Sequence, residues 1–193
     1  MGTSCFQDAT KEDGKPEANK EIITNIEQNI SKSICKIKIE TQPDTIIGAG
    51  FFLKFKMDKD IFYCLLTNEN IIQKDIINNN YNINIYYDNE EKELNIKLDT
   101  TKRYIKSFKE ENLDIAIVQI LLDEDNISED YFLWNDDEYD NNKLINSDIY
   151  ILQYTQEKKL KKVKSKLSKI NKYEFIFLSN TEELGSSKGY PIF

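Results

Sequence analysis

The chain has 193 residues, 39% hydrophobic and 31% charged, with a formal net charge of −8 and no histidine. That length supports one domain or two small lobes with a real core, and no apolar run approaches the roughly 18 residues of a spanning helix. The acidic balance argues against a general nucleic-acid binder, and a chain without His lacks the usual general base at neutral pH.

The apolar content is dominated by 28 Ile, with 11 Tyr and 10 Phe beside them. β-branched and aromatic residues favour sheet over helix. The three cysteines, Cys5, Cys35 and Cys64, have no zinc-ligand spacing, so no metal and no cofactor are expected. An odd set of thiols and a polar N-terminus unlike a signal peptide read as a cytoplasmic protein with reduced cysteines.

Residues 1–20 carry charge, Gly and Pro without periodicity and read as a disordered arm. The opening Met1-Gly2-Thr3-Ser4-Cys5-Phe6 half-matches an N-myristoylation start, with Phe6 where Ser or Thr is wanted. Myristate on Gly2 and palmitate on Cys5 would give the two anchors that stable membrane attachment needs. The alternative is a solvated start without lipid.

Residues 21–122 read as a short leading helix or turn followed by an antiparallel run of strands. EIITNIEQNISKSI (21–34) places Ile22, Ile23, Ile26, Ile30 and Ile34 at helical spacing. Period-2 segments then follow: CKIKIE, GAGFFLKFKM, DIFYCLLTN, YNINIYYD, KELNIKLD and LDIAIVQIL. Closely spaced strands with no βαβ rhythm imply an antiparallel barrel or sandwich.

DEDNISEDYFLWNDDEYD (123–140) holds nine acidic residues and no basic one, and reads as a linker over 123–142. It lacks the glycine a calcium loop requires. The second lobe, 143–193, contains SDIYILQY, a lysine-rich stretch with eight lysines between 158 and 172, YEFIFLS and the closing LGSSKGYPIF. The lysines read as the wet face of a hairpin strand, or as an anionic-lipid patch. Nucleic acid is disfavoured by the flanking acid.

The glycine–serine turn at the end is one way of presenting a nucleophilic hydroxyl. GAGFFL (48–53), CLLTNENII (64–72), LDIAIVQI (113–120) and the turn at 185–191 occur in the order of G-x-G-F, T-x-x-H, D-I-A-I and G-x-S-G-x-P-I. In that order the chain resembles the trypsin-like serine peptidases of the chymotrypsin fold, over roughly 30–193, as a degenerate intracellular member. The spacings, 44 residues from Asn70 to Asp114 and 73 from Asp114 to Ser187, suit such a domain.

The resemblance implies an all-β, chymotrypsin-like double β-barrel, with the second barrel C-terminally truncated because the sequence stops at Phe193. It places Asp114 at the Asp position and Ser187 at the nucleophile, with Gly185 and Ser187 at the oxyanion hole. At the His position stands Asn70, whose amide cannot take a proton near neutral pH. The turn is altered too. Read from the left, Gly185-Ser186-Ser187 fits G-x-S with Lys188 inserted; read from the right, Lys188 occupies the serine position. A serine without an adjacent base is a poor nucleophile, and an inserted residue would turn away the N–H donors of the oxyanion hole.

The expected function is therefore that of an inactive homologue, a pseudoprotease, with a peptide or protein ligand in the former cleft and a partner at the incomplete barrel. The alternatives are a residually active serine endopeptidase using Ser187, and an unrelated all-β interaction module.

Overall fold

The computed structural model describes residues 30–111, 113–135, 144–154, 160–170 and 175–178. Period-2 patterning becomes strand almost wherever it occurs. Strands β1 (Ile34–Glu40), β2 (Thr45–Met57) and β3 (Asp60–Thr67) form an antiparallel meander, and β4 (Asn82–Tyr87) and β5 (Lys92–Lys97) form a hairpin whose β4 pairs antiparallel with β1. The helical spacing at 21–34 yields helix only at residues 30–33 within the described range. Ile34 is instead the first residue of β1, fully buried and paired with Phe51, because ladder and core capture it.

Two further strands, β6 (Ile105–Ser107) and β7 (Ala116–Gln119), complete the run, and the two-residue β8 (Leu133–Trp134) pairs in parallel with β2. The order is β5-β4-β1-β2-β3-β7-β6. Ile83, Ile85 and Tyr87 of β4 alternate with more exposed positions, as do Leu94 and Ile96 of β5. These residues share one buried cluster with Ala116 and Val118 of β7, several strands away across the sheet. Only a sheet curled on itself brings such distant strands around one core.

Two glycines shape β2. A Cβ on Gly48 would meet Ile71 Cδ1 at 2.4 Å, and one on Gly50 would lie 2.8 Å from the Leu66 carbonyl oxygen. The bare backbone of G-x-G thus lets β3 and the segment after it lie close against β2.

The acidic stretch expected to link two lobes begins as part of this first sheet. It forms helix α2 (Leu122–Asp125), after the short α1 (Lys74–Asn78), then a 3-10 turn over Glu129–Tyr131 and β8. Its apolar residues decide this: Ile127 and Phe132 lie in the core, and Phe132 packs against both Phe52 and Tyr63. Tyr131 stacks edge-on to Tyr87, donates to Asp88 Oδ2 at 3.1 Å and accepts from Lys92 Nζ, fastening the segment to the β4–β5 hairpin. A buried pair anchors its start, with Arg103 bridging both carboxylate oxygens of Asp125 at 2.8 and 3.0 Å. Residues 136–142 of the expected linker lie outside the described residues.

A second, three-stranded antiparallel sheet has the order β11-β10-β9, from β9 (Asp148–Tyr154), β10 (Leu160–Ile170) and β11 (Phe175–Leu178). SDIYILQY, the lysine-rich stretch and YEFIFLS each supply one strand, as their alternation implies. Ile149, Val163 and Leu167 are buried. No helix among the described residues is long and apolar enough to cross a membrane.

Candidate functional site

The register of two strands builds the site. Thr67, the last residue of β3, pairs with Ala116 at the start of β7. The chain beyond Thr67 therefore runs beside the chain just before Ala116, which places residues 68–70 against Asp114. Thr67 is itself buried and donates its hydroxyl to the Ala49 carbonyl at 2.6 Å, tying this corner to the G-x-G strand.

After Thr67 the chain turns. Asn68 O accepts from Ile71 N at 3.1 Å; Ile71 packs over Gly48, and Ile72 is fully buried before α1 begins. With both isoleucines held in the core, the three polar residues between Thr67 and Ile71 form the turn beside Asp114, Glu69 buried and Asn68 and Asn70 half-buried.

Asp114 is exposed, and its carboxylate is held on both oxygens. The Glu69 backbone N–H donates to Oδ1 at 3.0 Å, and Asn68 Nδ2 donates to Oδ2 at 2.9 Å and to the Asp114 carbonyl at 3.2 Å. Asn70 is half-buried immediately after Glu69, and its carbonyl accepts from Gln73 Nε2 at 3.2 Å. Among the described residues the Asn70 Oδ1 atom is buried without a hydrogen-bond donor, as are Asn68 Oδ1 and Glu69 Oε1. Lys109 Nζ stands 3.7 Å from that Glu69 oxygen, an ion-pair distance.

The structure thus brings Asn70 and Asp114 to one corner, joined through the backbone of Glu69. It does not place the Asn70 side chain among the described donors to Asp114. Asn68 fills that role, a residue that the motif pattern does not single out. Its signal was available only as a second amide two residues before Asn70, at the end of a buried strand. Gly185, Ser187 and Lys188 lie outside the described residues, as do Gly2 and Cys5. Chemically, a carboxylate that accepts from an amide and a backbone N–H can orient donors, but neither Asn68 nor Asn70 can carry a proton away from a hydroxyl.

The fold compares with those of solved proteases. Deg5 superimposes with a TM-score of 0.56 at 14% identity, over 93% of this chain and 82% of that protein. The active form of the Rv3671c protease from M. tuberculosis gives 0.55 at 14% identity, over 90% and 68%. The scabies mite inactivated protease paralogue S-I1 gives 0.53 at 14% identity, over 86% and 79%. No protein-family model matches the sequence, and no curated protein matches it. The chain has the all-β, chymotrypsin-like fold of trypsin-like serine proteases. At these identities the likeness is one of fold.

Proposed function

We propose that the chain is a trypsin-like serine peptidase homologue that has lost proteolysis and retains its cleft for binding a peptide or protein. The observation that carries this reading is the corner at Asp114. Where the resemblance puts a histidine, the chain has Asn70, and the carboxylate that would orient an imidazole is taken up by Asn68 and the Glu69 amide. With no histidine among 193 residues, the serine at 187 has no imidazole base within its own chain. Loss of one triad member leaves roughly 10³–10⁴-fold over the uncatalysed reaction, from binding and the oxyanion hole alone. The scabies mite protein, described as inactivated, is a precedent for keeping this fold without the reaction.

The test is labelling with a fluorophosphonate probe, which reports an activated serine independently of substrate sequence. The purified chain is expected to remain unlabelled under conditions that label an active serine protease to completion. Labelling that Ser187→Ala abolishes would overturn the proposal in favour of a residually active endopeptidase.

A further inference from the structure

Asp114 is held by two neighbouring residues of one turn. Glu69 gives its backbone N–H to Oδ1 at 3.0 Å. Asn68 reaches two acceptors of the same residue, with Nδ2 2.9 Å from Oδ2 and 3.2 Å from the Asp114 carbonyl oxygen. A primary amide carries two N–H groups, so both can be engaged on Asp114 at once. The Asn68 backbone is fixed as well, because its carbonyl closes the turn by accepting from Ile71 N at 3.1 Å.

Asn70 stands on the other side of the Glu69 amide, one peptide unit and about 3.8 Å of Cα spacing further along. Its amide is the same kind of donor as that of Asn68, yet it is not among the described donors to Asp114. Its backbone carbonyl accepts from Gln73 Nε2 at 3.2 Å, and its Oδ1 is buried without a donor among the described residues. Of two identical side chains flanking the Glu69 N–H, the one at 68 holds the carboxylate and the one at 70 does not.

We propose that Asn68 is a positioning residue that withholds Asp114 from the side chain at position 70. The absence of an imidazole at 70 is then backed by a second, separate change, and an imidazole placed there does not regain the carboxylate while Asn68 remains. This deepens the reading of the corner as that of a former serine peptidase, and rests on it.

The chain has no histidine, so an imidazole introduced at 70 is the only one in the protein and its ring protons can be followed by NMR through a pH titration. An imidazole without a carboxylate partner titrates near about 6.5, and an adjacent carboxylate favours the charged form and raises it. The full chain carrying Asn70→His is expected to titrate at or below about 6.5, and Asn68→Ala/Asn70→His about one unit higher. Adding Asp114→Asn to the pair should remove that rise. Glu69 with Lys109 at 3.7 Å, and the Lys74–Glu110 pair at 2.8 Å between α1 and the 3-10 turn Lys109–Glu111, are common to all three variants. Their fields therefore cancel in the differences. If Asn68→Ala/Asn70→His does not fold, as judged by circular dichroism, Asn68→Val/Asn70→His also lacks the donor and carries the same expectation.

The proposal is overturned if Asn70→His alone titrates as high as the double variant, or if the rise survives Asp114→Asn. These readouts involve neither Ser187 nor hydrolysis. Their failure is thus distinct from fluorophosphonate labelling, which tests the loss of proteolysis.

Discussion

Asn68 Nδ2 donates to Asp114 Oδ2 at 2.9 Å across 46 residues of sequence, while the next residue's backbone N–H holds the other oxygen. The two bonds depend on different partners, and that separates their energetics. Asp114→Ala strands the part-buried Glu69 N–H and should cost about 1–3 kcal/mol. Asn68→Ala leaves an exposed carboxylate that water can solvate and should cost about 1 kcal/mol or less. Urea unfolding checks both: the midpoint should move further for Asp114→Ala, with the slope unchanged.

The Arg103–Asp125 pair is the most buried ion pair described, with 8% and 6% of the two side chains exposed. Arg103 also donates to the Gln119 carbonyl, and Asp125 accepts from Leu121 N, so the pair joins the segment before β6 to α2. Removing one partner leaves a buried charge uncompensated. Arg103→Ala should destabilise by about 3–5 kcal/mol, and Arg103→Ala/Asp125→Ala by clearly less than the sum of the single changes. A double-mutant cycle in denaturant measures the coupling.

Gly50 and Gly48 should respond differently to a methyl group. At Gly50 the obstacle is the Leu66 backbone oxygen, which cannot move without disturbing the β2–β3 ladder. Gly50→Ala should therefore cost about 1–3 kcal/mol, with little rescue from trimming neighbours. At Gly48 the obstacle is the Ile71 side chain. Adding Ile71→Ala to Gly48→Ala should cost less than Ile71→Ala costs in the parent chain, and thermal unfolding of the four proteins decides it.

Burial raises the thiols of Cys35 and Cys64, the latter from 9.0 to about 12. The folded chain holds these protons where the unfolded chain releases them. The stabilisation is fully present below about pH 9 and is lost as pH rises towards 12, at about 1.4 kcal/mol per pH unit for each thiol. Urea midpoints measured from pH 8 to 11 should fall accordingly, and Cys64→Ala should flatten the slope. In the native state both cysteines should resist iodoacetamide at pH 8, and both should react once the chain is unfolded.

Much of the architecture was legible because burial has a period. Ile37, Ile39, Ile83, Ile85, Leu94 and Ile96 alternate with polar residues, and each segment became a strand with those residues inside. What failed to read correctly had competing signals. The helical spacing ending at Ile34 lost to pairing with Phe51, and the acid of 123–135 obscured Ile127 and Phe132, two residues that decide where the segment packs. β6 was missed because its three residues are all half-buried and carry no alternation.

The sequence by itself determined the long alternating strands, the G-x-G that lets them approach, and the absence of any imidazole among its 193 residues, since composition and local pattern carry all three. Which group meets Asp114 was decided only by tertiary structure. The register Thr67 to Ala116 sets Asn68 and Glu69, not the Asn70 side chain, on that carboxylate. Cross-strand register depends on the packing of a whole sheet, so it is invisible in either segment alone.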